Sequence, residues 1–393
     1  TGLLPIVRNL SEEGLVRIRE NGRPEPRLAE GLTISPDGLS MTIRLRPGVR
    51  FHDNSAVTSD VVAKVLNDSL PRVLGSVFED IDHIAATDTS SIQIVFKRPS
   101  PFVQEALELP VLLSGSGTGA FQVSPDSVNE LRANRSHYLG SPSIDRITLT
   151  NYPSVRAAWA DMLRDRVDML YEVSVDALDL MRGAENVSAF AFIRPYQYVI
   201  VLNRRSPKLR SPTIRRALNL AIDRSAVVRD GFDGHGLASS GLVWPRNWAV
   251  DEAGPTVSFD PQTAAGLLSK ISKTSPSETG DRLRFTCLVP TDYERLGLVV
   301  KRQLESVGVT MDLQGTSVDK AVEALGTSTF EAVLIDLVGG SSLFRTYQVW
   351  HSTGSMNPGT FGTASMDVAL NQIRHSATDA EYRAAVAALR PNA

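Results

Sequence analysis

Across residues 30–52 short β-prone hydrophobic runs alternate with polar turn signals, and the runs 32–34 and 41–45 flank Ser35-Pro36-Asp37-Gly38. Proline and aspartate set up a tight turn and glycine supplies the positive φ that closes it, so this stretch predicts a β-hairpin. Val61, Val62, Val65 and Leu66 then recur at helical spacing, with Thr58 placed as N-cap and Asp60 in the first turn. Residues 91–96 read as a strand, and Gly115-Ser116-Gly117-Thr118-Gly119 interrupts the pattern. Beyond it, 121–123 and 147–149 read as strands. Residues 154–166 read as a helix with Val155, Ala158, Trp159, Met162 and Leu163 on one face, and 167–171 as a strand again.

The second half repeats this grammar. Residues 196–203 form a strongly β-prone run, and Ser211-Pro212 opens a helix with Ile214, Leu218, Ala221 and Ile222 inside. A strand over 283–289, a helix over 292–307 and a strand over 309–313 follow. Strand, helix, strand order is the unit of a parallel or mixed sheet, so the fold class is α/β.

A chain of 393 residues is long enough for two or three domains with real cores. Its 42% hydrophobic and 22% charged residues are those of an ordinary folded domain, and a net charge of -3 offers no attraction for nucleic acid. The single cysteine, Cys287, lies in an apolar run and reads as a buried core residue, with no disulfide within one chain. No stretch reaches the roughly 20 apolar residues of a membrane span. The chain opens at Thr1 without a signal pattern, as expected of a processed or trimmed chain.

Catalytic chemistry is sparsely signalled. The glycine-rich stretch 115–119 leads into a strand rather than into the Gly-Lys-Ser/Thr and helix of a phosphate loop. The histidines His52, His83, His137, His235, His351 and His375 never fall at His-Glu-x-x-His or i,i+4 spacing, and His52-Asp53 reads as a turn. No Gly-x-Ser-x-Gly elbow occurs.

Four ordered stretches carry a resemblance. The first holds Glu13-Gly14-Leu15-Val16, Arg27-Leu28-Ala29-Glu30, Ser35-Pro36-Asp37-Gly38 and the run 43–53, followed by Thr58-Ser59-Asp60-Val61. The second is Gly117-Thr118-Gly119-Ala120-Phe121 with 131–140 and 142–147, and the third is 198–203 with 215–224. The fourth and weakest is 259–268 with 304–309. Together they resemble the extracellular solute-binding proteins of peptide and nickel ABC importers.

That resemblance implies a two-lobed, type II periplasmic-binding-protein-like fold with an inserted subdomain. Residues 1–30 and 115–200 would form lobe one, 31–114 the insert and 201–393 lobe two, without a C-terminal return to lobe one. It implies hinge closure near 198–203 around a small organic solute (a peptide, an oligosaccharide or an aromatic compound). The protein would be a periplasmic or extracytoplasmic monomer, with or without a lipid anchor. It would deliver solute to an ABC permease, and would have no catalytic activity, no cofactor and no nucleic-acid partner. A metal or nickel-chelate binder is the second reading and an α/β hydrolase the third.

By position in the resemblance, Glu13, Tyr171, Glu172, Tyr196, Gln197, Tyr198, Trp244, Arg246, Asn247, Trp248, Gly339, Gly340, Ser341 and Arg345 would contact the solute. Tryptophans in the turn-rich segment 244–248 suit a cleft that encloses an organic molecule. In peptide-binding members a strand after the fourth stretch ends in a Trp and then an Asp, and the corresponding run here is 330–342. Leu337 falls near that Trp and Gly339 or Gly340 near that Asp. A buried ammonium without a counter-charge is costly, which counts against a free peptide N-terminus unless Asp336 takes the role.

Overall fold

The structure, a computed structural model, describes all residues except 1–2, 172–180, 182, 185, 191, 195, 240, 252–257, 275–282, 358–361 and 390–393. Glu172 therefore lies outside the described residues. The chain divides into two compact units, Thr1–Ala184 with Asn371–Ala385, and Glu185–Leu370 with Val386–Ala393.

The first unit opens with α1 (Leu4–Ser11), β1 (Val16–Ile18) and β2 (Pro24–Pro26), the two strands pairing antiparallel. An antiparallel sheet follows from β3 (Ala29–Ile34), β4 (Ser40–Leu45), α2 (Ser59–Leu74), β5 (Ile81–Ala86) and β6 (Ser91–Phe96), in strand order β3-β4-β6-β5. The hairpin forms where the sequence places it, with Gly38 at φ 71° and Asp37 accepting from the Leu39 amide at 3.0 Å. Alternation along β4 buries Met41, Ile43 and Leu45, and Ile92 and Ile94 of β6 are buried beside them. Val62, Leu66 and Leu70 of α2 are likewise fully buried, and α2 packs on β5 and β6.

After α3 (Pro101–Ala106) comes a second antiparallel sheet, β7 (Phe121–Ser124), β8 (Ser127–Ala133) and β9 (Arg146–Thr148), then α4 (Val155–Met162). Phe121, Leu131 and Ala133 pack against Val7 and Leu10 of α1. Here the glycine-rich stretch finds its cause. A Cβ at Gly117 would stand 2.2 Å from the Ser11 carbonyl oxygen, and one at Gly119 2.4 Å from that of Leu10, so only glycine lets this backbone pass the end of α1. The strand expected at 167–171 does not form. Among the described residues no strand pairs with it, and an apolar run without a ladder partner cannot satisfy its backbone as a strand.

The boundary between the units passes through α11 (Ala364–Arg374) and α12 (Asp379–Leu389), so Asn371–Ala385 packs in the first unit, whereas the sequence reading places 201–393 wholly in lobe two. Asp80, with no exposed surface, accepts from Arg98 Nε at 2.5 Å, Ser100 Oγ at 3.0 Å, and Arg374 Nε and Nη2 at 2.6 and 2.8 Å. Tyr382 Oη donates to the buried Glu105 at 2.8 Å. A buried carboxylate needs such charged, hydrogen-bonded partners to be tolerated, and Arg374 brings the C-terminal segment into the core to supply one.

In the second unit the elements are β10 (Tyr196–Leu202), α5 (Pro212–Leu220), α6 (Arg224–Gly231), α7 (Pro261–Thr274), β11 (Arg284–Pro290), α8 (Glu294–Ser306), β12 (Thr310–Thr316), α9 (Val318–Thr327), β13 (Ala332–Val338) and α10 (Leu343–Trp350). Pro212 enters α5 as expected, although Ser211 makes no side-chain capping bond. Strand order is β10-β13-β11-β12, with β11 parallel to both neighbours and β10 antiparallel to β13. One face of the sheet, including Cys287, Ala332 and Leu334, is covered by Ile214, Leu218, Leu296 and Val300 of α5 and α8. On the other face Val201, Val333 and Ile335 meet Ala321, Ala324 and Leu325 of α9. Burial of Cys287 pushes its thiol up to about 12.

Candidate functional site

In a sheet with parallel strands, ligands gather at the carboxyl ends, where loops leave the strands and helix N-termini begin. In the second unit β11 ends at Pro290 and turns through Thr291–Tyr293 into α8, and β13 ends at Val338 and passes through Gly339 and Gly340 to α10. Antiparallel β10 begins at this same edge, its Tyr196 opposite Val338, Gln197 opposite Leu337 and Tyr198 opposite Asp336.

Side-chain alternation separates the candidates on β10. Tyr198 shares a face with Asp336. Its ring, 42% exposed, tilts against Phe232 with centroids 4.8 Å apart and meets Tyr293 edge to face at 5.3 Å. Tyr293 Oη donates to Asp336 Oδ1 at 2.7 Å. Burial and then the Asp336 carboxylate raise both tyrosine hydroxyls above their ordinary range, so both remain neutral donors. Tyr196 is bridged by Arg194, whose guanidinium lies 4.3 Å from the ring centroid and donates to Tyr196 Oη at 2.7 Å. Gln197 points to the opposite side and donates to the Gly241 carbonyl, tying the next segment to the strand.

That segment carries the tryptophans. Asn247, 3% exposed, donates through Nδ2 to the Ser341 carbonyl at 2.8 Å and accepts from the Ala249 amide at 2.9 Å, fixing 244–248 beside the turn after β13. Trp244 and Trp248 are half-buried on either side of it, and Arg246 is exposed. Gly340, one of the two glycines that the resemblance sets near a peptide binder's acid, adopts φ 68°, a left-handed conformation that suits glycine. Arg345 rises from α10 with Nη1 3.2 Å from Met356 Sδ. The structure thus brings eleven of the fourteen predicted residues to one edge of the second unit: Tyr196, Gln197, Tyr198, Trp244, Arg246, Asn247, Trp248, Gly339, Gly340, Ser341 and Arg345.

Glu13 belongs elsewhere. It is 8% exposed within the first unit, where it pairs with Arg27 at 3.1 Å and accepts from Thr118 Oγ1 and Tyr138 Oη, each at 3.2 Å. His137 Nε2 lies 3.5 Å from it without hydrogen-bond geometry. Burial and the neighbouring Glu13 push the Tyr138 hydroxyl up to about 12. The following glycine is equally constrained, since a Cβ on Gly14 would meet the Glu108 carbonyl oxygen at 2.5 Å. Glu13-Gly14 therefore locks the first unit internally, because every Glu13 oxygen already has a partner. Tyr171 is 47% exposed in the same unit.

Sequence reasoning singled out Asp336 as a possible counter-charge for an ammonium but missed Phe232 and Tyr293, which the structure places beside it. Among the described residues no three His, Cys, Asp or Glu side chains cluster as metal ligands.

Comparison with known proteins supplies the context. The family described as "Bacterial extracellular solute-binding proteins, family 5 Middle" matches residues 23–356. The glutathione-binding protein GsiB of Salmonella typhi is 24% identical over 282 residues, 66% of this chain and 55% of its own, and GsiB of Escherichia coli K12 is 23% identical over 284. The chain thus spans about half the length of these curated relatives. Among solved structures, NikZ from Campylobacter jejuni in complex with Ni(L-His) superposes with a TM-score of 0.81 at 22% identity, covering 97% of this chain and 84% of NikZ. The oligopeptide-binding protein AppA from Bacillus subtilis in complex with a nonapeptide gives 0.77 at 18% identity, covering 100% of this chain and 86% of AppA. The fold class is the solute-binding one that the sequence implies. The chain belongs to family 5 of the bacterial extracellular solute-binding proteins.

Proposed function

We propose that this protein captures a small organic solute outside the cytoplasm and delivers it, as a monomer, to an ABC permease, without catalysing a reaction. The observation that carries this reading is the carboxyl edge of the second unit's sheet. There aromatic rings, neutral tyrosine donors and the Asn247–Ser341 tether converge, the composition of a site that encloses and orients an organic solute. Relatives bind glutathione, an oligopeptide and a nickel–histidine chelate, so an amino-acid-derived solute is the class we favour.

Native mass spectrometry of the purified protein, followed by denaturation and identification of released small molecules, tests this. A defined organic solute at one per chain supports the reading. Turnover of that solute into a product would refute the non-catalytic assignment. A metal-chelate reading follows from NikZ, and stoichiometric nickel with histidine in the released fraction would establish it.

A further inference from the structure

Building on the proposed function, we infer that the Tyr198, Phe232, Tyr293 and Asp336 cluster binds a weakly hydrated organic cation, a quaternary ammonium or guanidinium group carried by the solute. Three aromatic rings lie within 5.3 Å of their neighbours on one side of the β10–β13 pair, and Asp336 stands directly across from Tyr198 in register. Aromatic faces carry negative potential, and a carboxylate at their edge adds to it, so the cluster attracts a cation.

The carboxylate is only half engaged. Tyr293 occupies Oδ1, the other oxygen accepts no hydrogen bond from any described residue, and no described lysine or arginine forms an ion pair with Asp336. Arg194, the nearest arginine along the strand, is committed to Tyr196 through both its ring and its hydroxyl. That contact is an internal example of the same recognition, a guanidinium laid on a tyrosine beside this strand edge. The 42% exposure of Tyr198 leaves ring surface for a second cation, and the partial burial of Asp336 strengthens its pull relative to an open surface. Rings reward cations that shed water easily, which selects quaternary ammonium and guanidinium over a compact primary ammonium.

The test is isothermal titration calorimetry of the full chain, stripped of solute, with choline, arginine and lysine and with the neutral isosteres of choline and arginine. Choline or arginine should bind, their neutral isosteres should bind at least tenfold more weakly, and lysine should fall below whichever cation binds. Asp336→Asn and Tyr198→Ala should each weaken binding at least tenfold, and Tyr198→Phe should keep most of it. Tyr198 is exposed enough that Tyr198→Ala folds, so the test does not depend on Asp336→Asn alone. Absence of binding by both cations, equal binding of the isosteres, a preference for lysine, or no effect of Tyr198→Ala would overturn the inference. A co-purifying solute without positive charge, insensitive to Asp336→Asn, would overturn it too and would leave the solute-binding proposal standing.

Discussion

Glu13 offers a sharp test because its sequence position suggests a ligand contact and its surroundings make it a structural residue. Replacing it with alanine removes the partner of Arg27 at 3.1 Å and the acceptor of Thr118 and Tyr138, each at 3.2 Å. Each of these longer bonds is counted at the typical net worth of a hydrogen bond, about 1 kcal/mol, giving about 3 kcal/mol in all. Thr118 is 1% exposed, so its hydroxyl is left without water, which adds about 1–2 kcal/mol. Arg27 is a third exposed and recovers hydration, which keeps the total near 4 kcal/mol rather than above it. At about 2–4 °C per kcal/mol for a unit of this size, Glu13→Ala should lower the melting temperature of the first unit by roughly 8–16 °C. Differential scanning calorimetry reads this directly. Glu13→Gln keeps the shape and one acceptor and should lose about half as much. A Glu13→Ala protein that melts within 2 °C of wild type, yet binds its co-purified solute tenfold more weakly, would refute the structural assignment.

Four further outcomes are expected. Arg374→Met removes the guanidinium that donates twice to the buried Asp80 and should destabilise the first unit by about 3 kcal/mol in urea unfolding, with Asp80→Asn in the same chain recovering part of the loss. Burial holds the His375 imidazole below its ordinary value near 6.5, against the opposing pull of Asp80, so the fold binds fewer protons than the unfolded chain. Stability tied to His375 is therefore present above about pH 6.5 and drains away as pH falls below it, and His375→Gln should flatten the melting curve's pH dependence over that interval. Cys287 has no exposed surface, and its thiol is held up near 12, so a thiol reagent at mildly alkaline pH should label it only after denaturant is added. Trp248→Ala should weaken binding of the co-purified solute at least tenfold with little change in melting temperature, and unchanged affinity would remove Trp248 from the site.

Local physics made much of this legible from the residues. The Ser35-Pro36-Asp37-Gly38 turn, the alternation Met41, Ile43, Leu45 and the Thr58 cap each act over a few positions, and each stands where its pattern puts it. The edge residues of the second unit were reachable because 196–198, 244–248 and 339–341 sit beside strand ends or turn signals. Long-range pairings left no such trace. Asp80 and Arg374 are 294 positions apart, and nothing near either announces the other. The 167–171 run shows the converse limit, since β propensity without a partner strand does not make a strand. Tyr293 escaped notice because its importance lies in a hydrogen bond to Asp336, 43 residues on.

The discontinuity of the first unit sets an order of events in time. A growing chain exposes Asp80 and Glu105 early, while Arg374 and Tyr382, which complete their surroundings, are made 294 and 277 residues later. Until they arrive, Asp80 has Arg98 and Ser100 but lacks the two hydrogen bonds of the Arg374 guanidinium, Glu105 lacks that of Tyr382, and water is the better solvent for both carboxylates. The amino-terminal half is thereby kept from closing ahead of the rest, and closure waits on a contact of very high sequence separation. Residues 1–184 of a chain halted before residue 371 should be cut quickly by protease and become resistant once 371–385 is present. The fold thus carries its own delay, in which residues 371–385 license the compaction of residues 1–184.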